Sequence, residues 1–147
     1  MPPRDIDQSD WNLVHEAAIN AANAPDDDNI DHARRQMRDL LGALKMKYVE
    51  HPTLLATEAD YVDDPDVAIG LLLQAYDKVV AKGEVDEVVS IALSLAEDYA
   101  EGKKDVNSAR YWLSVARAVA DGDLSAYESE LETIASGVAR AAPDGRE

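Results

Sequence analysis

Apolar residues recur at helical spacing along the chain, and one short spacing pattern occurs three times. Its members are Ala33, Met37 and Leu40, then Ala68, Leu72 and Ala75, then Ala109, Leu113 and Ala116. Offsets of four and three residues place each set on one helix face, beneath a neighbouring helix. The pattern returns after 35 and then 41 residues, which is the length scale of a helical hairpin in a repeat array.

Seven helices are predicted from this periodicity together with capping residues, prolines and glycines. The predicted ranges are about 9–22, 29–50, 52–62, 65–82 and 85–100, then a helix that ends near 121 after a cap at Asp105, Asn107 or Ser108, and a last helix over about 124–140 capped by Asp123. Pro52 and Pro65 suit the first turn of a helix, and Gly83 suits the position after the last turn. No segment alternates as a strand would, so the fold class is predicted to be all-α.

The connections between these helices are short, which predicts three antiparallel hairpins followed by a terminal capping helix. A repeat array needs such a helix because its last hairpin otherwise exposes an apolar face. We expect one domain over residues 9–140, a disordered N-terminus over 1–8 and a flexible tail over 141–147.

The third hairpin carries two short motifs, Leu95, Ala96 and Tyr99 in its first helix and Ala109 with Leu113 in its second. In these motifs the hairpin resembles the tetratricopeptide repeat family, which has Leu-Gly-x2-Tyr and then Ala-x3-Phe at these places. The other hairpins give weaker matches, which are Trp11, Val14, Ala33 and Met37 in the first and Tyr61, Ala68 and Leu72 in the second. The resemblance implies hairpins stacked as a short TPR-like superhelix. Armadillo-like or HEAT-like pairs and a closed helical bundle stay open, because the repeat spacing exceeds the family's usual length.

In the tetratricopeptide family, the first helix of each hairpin lines a concave surface that takes an extended peptide or a partner helix. The residues of this chain that would stand there, off the buried stripes, are Asn12, Glu16, Asn20, Leu55, Ala59, Leu93, Glu97 and Glu101. These faces carry Glu and no Lys, so a Lys-based clamp for a carboxylate terminus is not expected. A basic or apolar ligand fits the charge better. The alternative is a solvated acidic face with no single ligand site.

The chain has a net charge of −16, which argues against nucleic-acid binding and favours basic partners. Such acidity also fits an immunity or antitoxin-type protein that neutralises a basic partner, or a role in solubility alone. The charge is uneven, because five basic residues lie between Arg34 and Lys47 whereas no Lys or Arg lies between Glu50 and Asp77. The basic stretch is expected either to pair with its acidic neighbour or to form a separate docking face.

Site chemistry is sparse in this sequence. There is no cysteine, the three histidines are His15, His32 and His51, far apart along the chain, and no Gly-rich phosphate loop or nucleophile elbow occurs. No apolar run approaches the length of a membrane span, and the N-terminus does not read as a secretory signal. We therefore expect a cytoplasmic, non-catalytic protein-binding module without metal or cofactor, with self-association left open. Trp112 is expected in the core, and Tyr76 and Tyr111 beside it are expected to be partly exposed.

Overall fold

A computed structural model describes residues 5–121 and 124–141. Within these ranges the chain forms seven α-helices and no strand, which confirms the all-α prediction. The helices are α1 (Gln8–Ala22), α2 (Asp27–Lys47), α3 (Pro52–Ala59), α4 (Pro65–Lys82), α5 (Val85–Glu97), α6 (Val106–Val119) and α7 (Glu128–Ala141). A π-helical segment, Asp98–Gly102, follows α5, and a 3₁₀ turn, Ser125–Tyr127, precedes α7. Asp123, which was predicted to cap the last helix, lies outside the described residues. Residues 1–4 of the N-terminus that was predicted to be disordered and residues 142–147 of the predicted flexible tail lie outside them as well.

The α4 helix has the predicted bounds because local chemistry sets both of its ends. The Asp64 carboxylate accepts a hydrogen bond from the Asp66 N–H at 2.9 Å, and Pro65 occupies the first turn. At the other end Gly83 adopts a left-handed φ of 69°, which closes the helix as glycine does most readily. Similarly, the Asp26 carboxylate accepts from the Asn29 N–H at 2.9 Å, so that α2 begins two residues before the predicted start.

Four helices end earlier than the periodicity predicts, among them α6, which ends at Val119 rather than near residue 121. The α2 helix stops at Lys47 rather than Glu50, because the Tyr48 hydroxyl is held by α1 and Glu50 takes a positive φ of 55°. The α3 helix ends at Ala59 rather than at residue 62. In α5 the regular helix ends at Glu97 and widens into the π-helical segment.

The chain divides into two compact units, the first ending at Val62 and the second beginning at Asp63. In unit 1, α1 and α2 form an antiparallel hairpin and α3 packs against α2. Its core consists of Ile6, Val14, Met37, Leu41, Leu44 and Leu54. Ile6 belongs to the segment that was expected to be disordered, and it is buried here at 5% exposure.

In unit 2, α5 is the central helix and packs against α4, α6 and α7. Seven of its thirteen residues are buried. Alanines of α5, of the π-helical segment and of the facing helices α4 and α6 are fully buried: Ala92, Ala96, Ala100, Ala75, Ala109 and Ala116. Because alanines let helix backbones approach closely, unit 2 is held by tight apolar packing.

The π-helical segment is the point where the other helices of unit 2 meet α5. The Lys103 N–H donates to the Asp98 carbonyl five residues back, at 3.2 Å. A Cβ on Gly102 would lie 2.7 Å from Cβ of Pro65 at the start of α4, and one on Gly137 of α7 would lie 2.8 Å from Cγ of Glu101. Glycine at both positions therefore permits the close approach.

Candidate protein-binding face on α5

A groove lies on the solvent side of α5. It is lined by Ser90, Leu93, Ser94 and Glu97 and is a solvent-open depression with a volume of about 90 Å³. Leu93, Ser94 and Glu97 follow Ser90 by three, four and seven positions, so the four residues form one face of the helix. Two hydroxyl groups and a carboxylate thus surround one apolar side chain.

The opposite side of α5 is packed into the core of unit 2. Ala92, Leu95 and Ala96 are completely buried against the neighbouring helices, so this side of α5 makes close apolar contacts. Leu93, which was predicted to lie off the buried stripe, is buried instead, with only 2% of its surface exposed. The groove is therefore a depression whose accessible lining is mainly polar.

The electrostatic surroundings of the groove are acidic. Six acidic residues and no Lys or Arg occur between Glu84 and Glu101. Asp86 and Glu87 at the start of α5 are exposed, and Glu97 and Asp98 at its end are half-buried. Acidic groups at both ends of the helix give this face a negative potential that attracts cationic groups.

Two of the residues predicted to contact a partner, Leu93 and Glu97, are brought together in the groove. Glu101, predicted with them, instead pairs with Arg140 of α7 and packs over Gly137. The hydrophobic pattern did not point to Ser90 and Ser94. These two serines could have been found from the sequence, because they are four residues apart and share a helix face with Leu93 and Glu97.

The unit 1 candidates divide into two groups. Asn12, Glu16 and Asn20 are exposed on one face of α1, and the Asn12 side-chain oxygen accepts a hydrogen bond from Gln8 at 2.7 Å. The placement of Leu55 and Ala59 off the buried stripe is corrected: they are buried, at 3% and 6% exposure. The α3 helix is short and uses most of its apolar residues for packing, so these two side chains offer a partner almost no surface.

The basic stretch on α2 is largely engaged within unit 1. The Lys45 ammonium contacts the Glu58 carboxylate at 2.5 Å, and Arg38 donates to the Tyr61 carbonyl at 2.9 Å. The Arg34 guanidinium lies over the Tyr61 ring, 5.6 Å from its centroid. One residue of the basic stretch, Lys45, pairs with a carboxylate of the acidic segment that follows it, and Arg34 and Arg38 contact Tyr61 of the same segment.

A small polar cluster joins the start of α1 to the end of α2. The Asp10 carboxylate accepts from the Tyr48 hydroxyl at 2.6 Å and from the Lys47 ammonium at 2.7 Å. The hydrogen bond from Lys47, followed by that from Tyr48, lowers the pKa of Asp10. The same bonds to Asp10 raise the pKa of Lys47 and of Tyr48. These bonds stabilise the hairpin of α1 and α2 and leave Lys47 less available to a partner.

Among the described residues, no three His, Asp or Glu side chains gather in a way that could hold a metal ion. Over residues 5–121 and 124–141, no helix combines the length and the apolar character that crossing a membrane requires. Compared with protein-family models, with curated proteins and with solved structures, the chain shows no significant match. The resemblance to tetratricopeptide repeats therefore stays a prediction.

Proposed function

We propose that this chain is a non-catalytic protein-binding module, a TPR-like scaffold that receives a basic or apolar segment of another protein on α5. The observation that carries the proposal is the groove lined by Ser90, Leu93, Ser94 and Glu97. The Ser90 and Ser94 hydroxyls and the Glu97 carboxylate suit hydrogen bonds and ion pairs that fix the orientation of a bound segment.

The charge distribution supports a basic partner. With a net charge of −16 and no cation along α5, the chain would draw a cationic segment toward this face and accelerate the encounter. Binding at α5 should then weaken as salt rises, because the attraction is screened beyond about 10 Å at 0.1 M ionic strength.

The test uses two variants that add the same charge at different places. The double variant Ser90→Arg, Ser94→Arg fills the groove and makes its charge positive. The control variant Ser129→Arg, Ser136→Arg adds the same charge at two exposed serines on α7. Each protein is immobilised and used to capture partners from the source cells at low and at high salt. We expect a partner that the wild type and the α7 variant retain and the groove variant loses.

The capture also separates the competing interpretations. A partner retained equally by all three proteins would contradict a site on α5. A captured basic toxin whose activity the chain blocks would favour the neutralising role, in which affinity depends steeply on salt. Self-association through α5 would yield the chain itself as the captured protein.

A further inference from the structure

The C-terminal end of α5, beside the groove, differs in charge from the other helix ends of unit 2. Its last turn holds no basic residue, and two acidic residues, Glu97 and Asp98, stand there instead. The other three α-helices of unit 2 in the described part of the chain have a cation in the last turn, Lys82 in α4, Arg117 in α6 and Arg140 in α7. The C-terminal end of a helix carries partial negative charge, which attracts cations and repels carboxylates. A bound cation would therefore be stabilised at this end of α5.

The serine hydroxyls of the groove are open to a ligand. In the part of the chain that the structure describes, neither Ser90 nor Ser94 makes a side-chain hydrogen bond. The Ser114 hydroxyl of α6, by contrast, donates to the Tyr111 carbonyl of its own helix at 2.6 Å. Ser94 is half-buried and Ser90 is exposed, and both line the depression. Each hydroxyl therefore keeps its capacity to accept a hydrogen bond from a bound group.

The volume of the groove limits what can enter it. A volume of about 90 Å³ is the room that about three water molecules take in the liquid. It is smaller than the roughly 150 Å³ of a protein cavity that encloses benzene. The groove thus admits the end of one extended side chain and excludes a peptide backbone or an aromatic ring. Because the accessible lining is mainly polar, the end that enters should be polar or charged as well.

We propose that the groove binds the ε-ammonium group of a lysine in the partner segment, with Ser90, Ser94 and Glu97 as its three acceptors. This inference rests on the proposed function and specifies which side chain of the partner enters the site. Residues three or four apart on a helix have Cβ atoms about 5–6 Å apart. The three donors of an ammonium group spread at tetrahedral angles and rotate, so they reach acceptors at that separation. Because a carboxylate has about four acceptor sites, Glu97 can accept from the ligand in addition to its contacts within the chain.

Two other kinds of side chain fit the groove less well. An arginine guanidinium holds its donors in a planar fork that matches the two oxygens of one carboxylate. Among the residues that line the groove only Glu97 is a carboxylate, and the two hydroxyls lie on successive turns of α5, so part of the fork would be left without an acceptor. An aliphatic side chain would cover all three polar groups without a hydrogen bond, which costs free energy. Lysine is therefore the side chain that the groove selects.

The test titrates isotope-labelled full-length chain with three short peptides that share a flexible Gly/Ser background. Every third position is Lys in the first peptide, Arg in the second and norleucine in the third. The Lys and Arg peptides have the same net charge, so long-range attraction to the acidic chain is equal and only local contacts distinguish them. We expect the Lys peptide to shift the amide signals of Ser90, Ser94 and Glu97. It should bind about fivefold more tightly than the Arg peptide and at least about tenfold more tightly than the norleucine peptide.

Two double variants provide a matched pair. Ser90→Ala with Ser94→Ala removes both hydroxyls and introduces a residue that favours the helix, so α5 should still fold. Ser129→Ala with Ser136→Ala makes the same change at exposed positions of α7. The α5 variant should bind the Lys peptide about fivefold more weakly and the Arg peptide less than about twofold more weakly. The α7 variant should bind both peptides as the wild type does.

The outcomes separate this inference from the proposed function. Binding of the Arg or the norleucine peptide at α5 as tightly as the Lys peptide would overturn the assignment of lysine and leave a partner-binding face on α5 standing. An unchanged preference for lysine in the α5 variant would overturn it as well, and so would shifts confined to other helices or no binding up to about 10 mM. The capture of partners by the Arg variants decides the proposed function separately, because it uses none of these peptides.

Discussion

Units 1 and 2 are both helical and both have an apolar core, yet the further contacts that join their helices differ. Unit 1 uses polar contacts between its helices, with Tyr48 and Lys47 bound to Asp10 and Lys45 bound to Glu58. Unit 2 uses close apolar packing, with fully buried alanines around α5 and with Gly102 and Gly137 at the points of nearest approach. The comparison indicates where surface remains for partners: Tyr48, Lys47 and Lys45 of unit 1 are engaged within its own helices, whereas Asp86, Glu87 and Ser90 on α5 are exposed to solvent.

The largest expected effect is the loss of a core side chain from α5. Leu95 is completely buried, so Leu95→Ala should lower the free energy of unfolding of unit 2 by about 2–5 kcal/mol. Leu73→Ala on α4 removes the same atoms at a position that is 36% exposed, and should cost less than about 1 kcal/mol. Urea unfolding followed by circular dichroism measures both, and equal costs would contradict tight packing around α5.

Alanine at two glycines should change stability in opposite directions. Gly102→Ala places a Cβ 2.7 Å from Pro65, a rigid ring, and should destabilise unit 2 by about 1–3 kcal/mol. Gly42→Ala in α2 meets nothing within 4 Å and should stabilise unit 1 by about 0.5–1 kcal/mol, because alanine is the better helix former. Thermal unfolding of the two variants compares the units directly. Stabilisation by both would mean that the π-helical segment is loosely packed.

A moderate effect is expected from the ion pair between α2 and α3. Lys45 and Glu58 are 32% and 24% exposed, so water still screens the attraction between their charges. A double-mutant cycle with Lys45→Ala and Glu58→Ala should give a coupling energy of about 0.5–1 kcal/mol that shrinks at high salt. A coupling of zero would remove this pair from the contacts that hold unit 1.

The smallest effect concerns the pH dependence of unit 1. The pKa of Asp10 is lowered from 3.8, so its contribution is present above that value and is lost as pH falls through the folded pKa. The pKa values of Lys47 and Tyr48 are raised from 10.5 and 10.0, so their contributions are present below those values and are lost as pH rises through the folded pKa values.

Tyr48→Phe should therefore flatten the alkaline loss of stability in unit 1, while Tyr111→Phe, at an exposed position of unit 2, should leave that curve unchanged. Urea unfolding at several pH values, followed through the amide signals of α1, measures both variants. If the free energy of unfolding of Tyr48→Phe fell at alkaline pH as steeply as that of the wild type, the cluster would not stabilise the hairpin.

Local signals made most of the fold predictable. Seven of the nine residues in the threefold spacing pattern are buried, and Leu40 and Leu113 are half-buried. The bounds of α4 follow from Pro65 and Gly83, which act within one turn of the helix. The early end of α2 depends on hydrogen bonds to α1, and the π-helical segment depends on α4 and α7, so both are tertiary effects that periodicity does not encode.

The candidate site was less predictable than the fold. Glu97 and Leu93 were identified from the family resemblance, whereas Ser90 and Ser94 carry no pattern of their own. Leu55 and Ala59 were assigned to an accessible face, but α3 has only eight residues and four of them are buried. On a short helix the buried arc is wider than a single stripe, and a hydrophobic pattern underestimates it.

The most direct test of the central claim, that α5 is a partner-binding face, is site-specific photo-crosslinking in the source cells. A photoreactive residue replaces Ser94 in the groove or, as the control, Ser129, which is exposed on α7. We predict that position 94 crosslinks to a partner through a basic or apolar segment and that position 129 does not. Crosslinks of the same proteins from both positions, or none from position 94, would contradict the assignment of binding to α5.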